Sequence, residues 1–110
     1  MKPFSYHPFD LRQLVSFAEI ARTGSFREAA KTLYVAQPAL SRQMKKLETA
    51  LEVSLFDRAP HRLHLTIEGR ELACRLPTLF SHIDRLAETV RSASTGEAAI
   101  SALESVMWAF

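Results

Sequence analysis

Apolar side chains recur every three or four residues in the first part of the sequence, at Leu11, Leu14, Val15, Ala18 and Ala21. This spacing follows the 3.6-residue period of a helix, so it predicts a first amphipathic helix. Asp10 with Gln13 three residues later has the pattern of a capping box and marks the start of this helix. Gly24 readily adopts the left-handed conformation in which helices end, and it marks the stop.

Two further helices are predicted after Gly24. Ser25 with Glu28 has a second capping-box pattern, and the helix that it starts is expected to stop near Tyr34. Pro38 suits the first turn of the next helix, where its missing N–H is not needed. That third helix is predicted over residues 37–50, and its buried stripe is formed by Leu40, Met44, Leu47 and Leu51.

The outer face of the third helix carries small, polar and basic side chains: Gln37, Pro38, Ala39, Ser41, Arg42 and Lys45. Two helices joined by a short link, the second with such a face, are typical of a helix-turn-helix. An amide can pair with a base edge, a guanidinium with guanine or phosphate, and small apolar groups with a thymine methyl group. The alternative is that this face is the solvent side of an ordinary amphipathic helix.

Beyond residue 51 the pattern changes to that of short strands. Leu55–Phe56 and Arg62–Thr66 are predicted to form a hairpin, which after a recognition helix would be a wing. Three side chains of this wing are predicted to lie along the DNA backbone or to enter the minor groove: Arg58, His61 and Arg62. His61 and His64 lack cysteine or carboxylate partners at ligand spacing, so neither a metal site nor any cofactor is predicted.

A long helix is predicted from Thr66, its N-cap, over residues 67–92. Its large apolar residues alternate in spacing between four and three, as in a heptad seam: Leu72, Leu76, Leu79, Ile83, Leu86 and Val90. A second copy of the chain is the expected partner of this seam, and the alternative is that the seam packs on the first helix. Pro77 is expected to kink the helix without breaking it. Cys74 lies opposite the seam and is expected to be exposed.

The distribution of charge along the chain says more about a binding partner than the overall composition does. The 110 residues suffice for one small domain, and the formal net charge is only +2. Between Arg22 and Lys46, however, the only acid is Glu28, so this stretch carries about +5.

The absence of a membrane-length apolar run, of a signal peptide and of a disulfide framework predicts a cytoplasmic protein. Because the sequence has no phosphate loop, catalytic triad or metal cluster, an enzyme is not expected.

The motifs resemble the N-terminal region of the LysR-type transcriptional regulators. They are 11–14 (LRQL), 24–26 (GSF) with 29–30 (AA), 35–43 (VAQPALSRQ), 47–48 (LE), 55–58 (LFDR), and 65–66 (LT) with 68–69 (EG). The resemblance implies a mainly α fold, a winged helix-turn-helix with a small β-hairpin wing followed by a long dimerising linker helix. It also implies a homodimer on an interrupted inverted repeat in promoter DNA, with a tetramer as a further expectation for a full-length parent. Family contacts to DNA carry over onto Ser25, Gln37, Pro38, Ser41 and Arg42.

Several departures from the family pattern stand out. Ala36 replaces a frequent serine, so the third helix lacks a side-chain cap. Glu52 replaces a usual glycine, and it must accept a left-handed backbone or reshape the link to the wing. His61, beside Arg62, stands at the wing tip where an arginine often enters the minor groove. The chain is also much shorter than family members, which continue into an effector domain.

The sequence therefore predicts three segments. Residues 1–66 form the winged helix-turn-helix, 67–93 the linker helix, and 94–110 a tail resembling the truncated start of an effector domain. The expected function is sequence-specific binding of double-stranded promoter DNA by a LysR-type homodimer. The alternative is a short form or interaction module that dimerises through the linker helix without sensing an effector.

Overall fold

Four α-helices and one hairpin make up the described part of the chain, residues 8–57 and 62–95 of a computed structural model. The elements are α1 (Leu11–Thr23), α2 (Phe26–Leu33), α3 (Gln37–Leu51), β1 (Phe56–Asp57), β2 (His64–Leu65) and α4 (Ile67–Ser92), followed by a 3-10 turn, Ala93–Thr95. The predicted fold class is confirmed: the chain is mainly helical, with a small hairpin between the third helix and a long fourth one.

The chain forms two compact units, Met1–Leu76 and Pro77–Phe110. In the first unit α1, α2 and α3 pack against one another, and β1 pairs with β2. Helix α4 begins in this unit and continues through Pro77 as one helix, which confirms that the proline does not break it. None of the helices in the described ranges is both long and apolar enough to cross a membrane. The predicted functional boundaries at residues 66 and 93 stay a prediction.

The ends of α1 are those that the sequence predicts, but its buried face is not. The Asp10 carboxylate accepts from the Gln13 N–H, and the Gln13 side chain accepts from the Asp10 N–H. Gly24 ends the helix with a φ of 70°. The buried residues are Gln13, Leu14, Ser16, Phe17 and Ile20.

The predicted apolar stripe of α1 is therefore wrong apart from Leu14. Leu11 and Val15 are 41% and 43% exposed, and Ala18 and Ala21 are only half-buried. The physical reason is that α1 packs against both α2 and α3, and its largest apolar side chains, Phe17 and Ile20, occupy that contact. Their burial removes more apolar surface from water than burial of the alanines would.

Both ends of α2 follow local signals. The Ser25 hydroxyl accepts from the Glu28 N–H at 3.1 Å, which confirms the N-cap. The predicted reciprocal half of the capping box is replaced, because the Ser25 N–H donates to the Thr23 hydroxyl instead. Tyr34 ends the helix in the left-handed conformation, with a φ of 57°.

The start and stripe of α3 confirm the predictions made for it. Pro38 lies in its first turn, and Ala36 at the N-cap makes no side-chain hydrogen bond. Glu52 ends α3 with a φ of 58°, so this residue accepts the left-handed backbone. Three residues of the predicted stripe, Leu40, Met44 and Leu47, are buried, and Leu51 is half-buried.

An aromatic cluster joins the hairpin to the helices. The ring of Phe56 lies with its centroid 5.5 Å from that of Phe17 on α1 and 5.1 Å from that of Phe26 on α2. Phe56 is 2% exposed, and Leu55 beside it is 1% exposed. The entry into the hairpin is therefore part of the same core that holds the three helices together.

The hairpin is antiparallel as predicted, but its first strand is shifted by one residue and its second strand is shorter. Phe56 is opposite Leu65, and Asp57 is opposite His64. The predicted first strand begins and ends one residue too early, because Phe56 and Asp57 are the residues that pair with β2. The predicted second strand, 62–66, is longer than the observed pair of residues.

Candidate nucleic-acid interface

One face of α3 exposes all the side chains that the sequence singles out on this helix: Gln37, Pro38, Ala39, Ser41, Arg42 and Lys45. The buried stripe of Leu40, Met44 and Leu47 holds the opposite face against the core. Within the described ranges, no hydrogen bond or ion pair engages the side chains of Gln37, Ser41, Arg42 or Lys45. These donors and acceptors are therefore directed to solvent, where a ligand can reach them.

Ion pairing reduces the number of available charges in the basic stretch. The Arg22 side chain is hydrogen-bonded to Glu19, and this bond lowers the pKa of the Glu19 carboxyl. The Nζ atom of Lys31 lies 3.7 Å from the Oε1 atom of Glu28. In the described part of the chain, the basic side chains of the stretch that lack such a carboxylate partner are Arg27, Arg42, Lys45 and Lys46. Three of these four lie on α3, so the unpaired positive charge concentrates on that helix.

The N-terminus of α2 places Ser25 as a cap. Its hydroxyl is half-buried and engaged with the Glu28 N–H. The hydroxyl oxygen therefore caps the N-terminus of α2. A phosphate contact by Ser25 stays a prediction. It is compatible with the cap, because the hydroxyl hydrogen can donate while the oxygen accepts.

The hairpin contributes one described candidate. Arg62 lies just before β2 and is exposed. Arg58 and His61, the other two predicted wing contacts, lie outside the described residues. The structure thus brings the α3 candidates together on one helix face and leaves the predicted contacts of the wing tip as predictions.

A carboxylate couples the recognition helix to the hairpin, and the sequence reasoning assigned it no role. One oxygen of Glu48, on α3, accepts from the Leu55 N–H at 2.7 Å and from the Phe56 N–H at 3.4 Å. It also accepts from the Ser54 hydroxyl at 3.3 Å. Charged acceptors form stronger hydrogen bonds than neutral ones, so this bond set fixes the start of β1 relative to α3.

The same segment is held from its other side by the start of α4. The Thr66 hydroxyl donates to the Ser54 carbonyl at 2.6 Å, and the Thr66 N–H donates to the Leu55 carbonyl at 3.0 Å. The hydroxyl of Thr66 also caps α4 by accepting from the Gly69 N–H, as predicted. We call residues 54–56 the wing anchor. Glu48 on α3 accepts from the N–H groups of Leu55 and Phe56, and Thr66 donates to the carbonyls of Ser54 and Leu55.

Gly69 is required by the closeness of this packing. A Cβ atom at this position would lie 2.2 Å from the Leu55 carbonyl oxygen. No side chain fits there without a shift of the backbone. The motif 65–69 therefore combines a helix cap with a close approach of α4 to the wing anchor.

Tyr34 is a second feature that the sequence reasoning missed as a candidate. Its side chain is 95% exposed, although it stands in the turn between α2 and α3. Val35 beside it is 45% exposed. Apolar spacing could not reveal this exposure, because it depends on which parts of the chain pack against the turn.

Other chemistry is limited in the described ranges. No group of three or more histidine, cysteine, aspartate or glutamate side chains there is arranged to hold a metal ion. Cys74 is exposed, as predicted.

The described elements define a winged helix-turn-helix protein. Two helices meet at a short turn, the second exposes a polar and basic face, and an antiparallel hairpin follows it. This is the arrangement in which a recognition helix meets a major groove.

Comparison with known proteins agrees with this class. Residues 11–70 match the family described as bacterial regulatory helix-turn-helix protein, lysR family. The HTH-type transcriptional activator CmpR of Synechocystis is 37% identical over 90 residues, which are 82% of this chain and 28% of that protein. The chain thus spans less than a third of the length of this relative.

Solved structures show the same likeness in three dimensions. The BenM_DBD/catB site 1 DNA complex matches 80% of this chain and 95% of that one, with a TM-score of 0.76 and 32% identity. The CbnR_DBD–DNA complex matches 78% of this chain and 99% of that one, with a TM-score of 0.74 and 32% identity. The chain belongs to the lysR family of bacterial regulatory helix-turn-helix proteins, a family of regulators rather than enzymes.

Proposed function

We propose that this chain binds double-stranded promoter DNA and recognises its sequence, as the DNA-binding part of a LysR-type transcriptional regulator in the bacterial cytoplasm. The observation that carries the proposal is the exposed, unpaired outer face of α3, from Gln37 to Lys45. The likeness to BenM_DBD and CbnR_DBD, both in complexes with DNA, supports it. In this proposal Arg42 contacts guanine or phosphate, and Gln37 pairs with a base edge.

The wing anchor supports a role for the hairpin in the same complex. Because Glu48 on the recognition helix holds the start of β1, the hairpin keeps a fixed distance from the face that meets the groove. Arg62, and with it Arg58 and His61, then lie along the backbone or in the minor groove beside the site.

Dimerisation through α4 completes the proposal. Three residues of the predicted seam are exposed in the single chain: Leu79 at 40%, Leu86 at 64% and Val90 at 64%. Leu72 and Ile83 are half-buried, whereas Leu76 is 2% exposed and already part of the core of the first unit. A second copy would remove the exposed apolar side chains from water, and two copies would match an inverted repeat in the DNA.

The experiment that tests DNA recognition is the substitution Arg42→Ala. DNA duplexes are first recovered by selection from a random-sequence library with the unmodified chain, and affinity is then measured at physiological salt. Loss of a guanidinium contact to a base costs about 1–3 kcal/mol, so we expect binding to weaken about fivefold to 150-fold.

Arg85→Ala is the matched control, because it removes the same charge from an exposed position on α4. This variant is expected to retain the affinity of the unmodified chain. Unchanged binding by Arg42→Ala would contradict the proposed recognition face. A chain that dimerises and shows no DNA affinity even at low salt would instead favour an interaction module.

A further inference from the structure

Tyr34 combines full exposure with a strained backbone. Its side chain is 95% exposed, and its φ of 57° and ψ of 44° place it in the left-handed region. Its N–H is used to end α2 by donating to the carbonyls of Ala30 and Lys31. The backbone of this residue is therefore fixed while its ring stands in solvent.

Neither packing nor backbone preference explains a tyrosine at this position. A side chain that is 95% exposed gains almost nothing from burial. The left-handed conformation is easiest for glycine and then for asparagine, and it is disfavoured for a large side chain. The phenol hydroxyl has no hydrogen-bond partner within the described ranges. The ring is thus held out of the fold at a conformational cost.

The position of Tyr34 relative to α3 indicates which part of the DNA its side chain contacts. Tyr34 lies three residues before Gln37, the first residue of α3. In a helix-turn-helix the N-terminal end of the recognition helix lies against base edges, so the turn before it lies at the border of the groove. The exposed residues Val35 and Ala36 continue the same surface toward Gln37. A side chain projecting from this turn lies next to the strand that borders the groove.

We propose that Tyr34 is a DNA-contacting residue that binds the sugar–phosphate backbone at the edge of the site read by α3. The hydroxyl donates a hydrogen bond to a phosphate oxygen, and the ring lies against a deoxyribose. Tyrosine is one of the side chains that make such backbone contacts, which fix the register of a protein on a duplex. The fixed left-handed turn already orders the backbone of Tyr34, so binding costs only the rotational freedom of its side chain. This inference rests on the proposed DNA-binding function.

Tyr34→Phe tests the contact by removing only the hydroxyl. The probe is the duplex recovered by selection with the unmodified chain, and affinity is measured over a range of salt concentrations. Loss of one hydrogen bond to a charged phosphate oxygen should weaken binding about tenfold to hundredfold. The dependence on salt should keep its slope, because a neutral hydroxyl displaces no counterion, whereas Arg42→Ala on a phosphate would reduce it. The thermal midpoint of the free chain should not change, since the hydroxyl is exposed.

Tyr34→Asn separates a contact from a structural role. Asparagine tolerates the left-handed backbone, so this variant should be at least as stable as the unmodified chain, yet bind DNA more weakly than Tyr34→Phe. Ethylation of single phosphates then locates the contact. The unmodified chain should be inhibited at one phosphate in each half-site where Tyr34→Phe is not.

One result would overturn the proposed DNA-binding function, and another would overturn only the assignment of Tyr34. If the unmodified chain selects no duplex, the proposed function itself fails. If it binds its duplex and Tyr34→Phe shows the same affinity and the same pattern of phosphate interference, the assignment of Tyr34 is overturned while the proposed function stands.

Discussion

Glu52 ends the recognition helix in a backbone conformation that favours glycine. Its φ is 58°, and its N–H donates to the carbonyls of Glu48 and Thr49. The left-handed region costs about 1 kcal/mol for a residue with a Cβ atom, because that atom approaches the neighbouring carbonyl oxygen. The helix thus ends at this residue through its backbone hydrogen bonds and in spite of its side chain.

Glu52→Gly should therefore stabilise the fold. We expect a gain of about 1 kcal/mol, or roughly 4–8 °C in the thermal midpoint of a small domain. Glu52→Ala is the control, because it removes the same carboxylate but keeps the Cβ atom. Thermal unfolding followed by circular dichroism compares the two variants. Equal midpoints for both would show that the charge, and not the backbone, sets the effect.

At the scale of elements, the wing anchor is the junction that holds the first unit's hairpin in place. The anchor lies between Glu48 on α3 and Thr66 at the start of α4. Gly69 allows the first turn of α4 to approach the carbonyl of Leu55. Three elements therefore meet over a span of three residues, 54–56.

Gly69→Ala should destabilise the chain strongly. An alanine in a helix usually stabilises it by about 1 kcal/mol relative to glycine. Here the added Cβ would stand 2.2 Å from a backbone oxygen, so we expect a net loss of about 3 kcal/mol. Gly24→Ala is the comparison, because its Cβ would meet no atom within 4 Å and only its φ of 70° is unfavourable.

Chemical denaturation measures both glycine variants. Gly24→Ala should lose about 1 kcal/mol, clearly less than Gly69→Ala. A Gly69→Ala variant as stable as the unmodified chain would contradict the close packing of α4 on the wing anchor.

The elements themselves were largely predictable because their signals are local. The Asp10–Gln13 capping box and the Pro38 start of α3 lie within a few residues of the ends that they mark. The buried face of α1 was not predictable from spacing, since it depends on α2 and α3 packing on that helix. The role of Glu48 was missed for a related reason: its partners lie seven and eight residues further along the chain.

At the scale of the whole molecule, net charge is a poor guide to the binding surface. The sum of +2 hides a basic stretch, and within that stretch Arg22 and Lys31 are paired with glutamates. The remaining unpaired cations lie mostly on α3. A polyanion therefore meets a concentrated positive face on a chain that is nearly neutral overall.

The seam on α4 leads to a prediction about assembly. Glutamates at Leu79 and Ile83 together should give a monomer, because two charges would have to be buried in the apolar contact between copies. Binding to an inverted repeat should then weaken by at least about a hundredfold, because the two half-sites are no longer bound by two linked copies of the winged helix-turn-helix. Sedimentation equilibrium measures the assembly state.

Ser81→Glu is the matched control for the seam. Ser81 is exposed on the same helix, opposite the seam positions, so this variant should remain a dimer. A dimer of the Leu79 and Ile83 double variant in sedimentation would refute the assignment of the seam.

The sequence by itself determined the order and ends of the helices, the hairpin between α3 and α4, and the family. These follow from capping residues, apolar spacing and short motifs, which act between neighbours in the chain. Only the tertiary structure decided which side of α1 is buried, how residues 54–56 are held, and that Tyr34 stands out of the fold. Each of these depends on contacts, or their absence, between parts of the chain that only packing brings together.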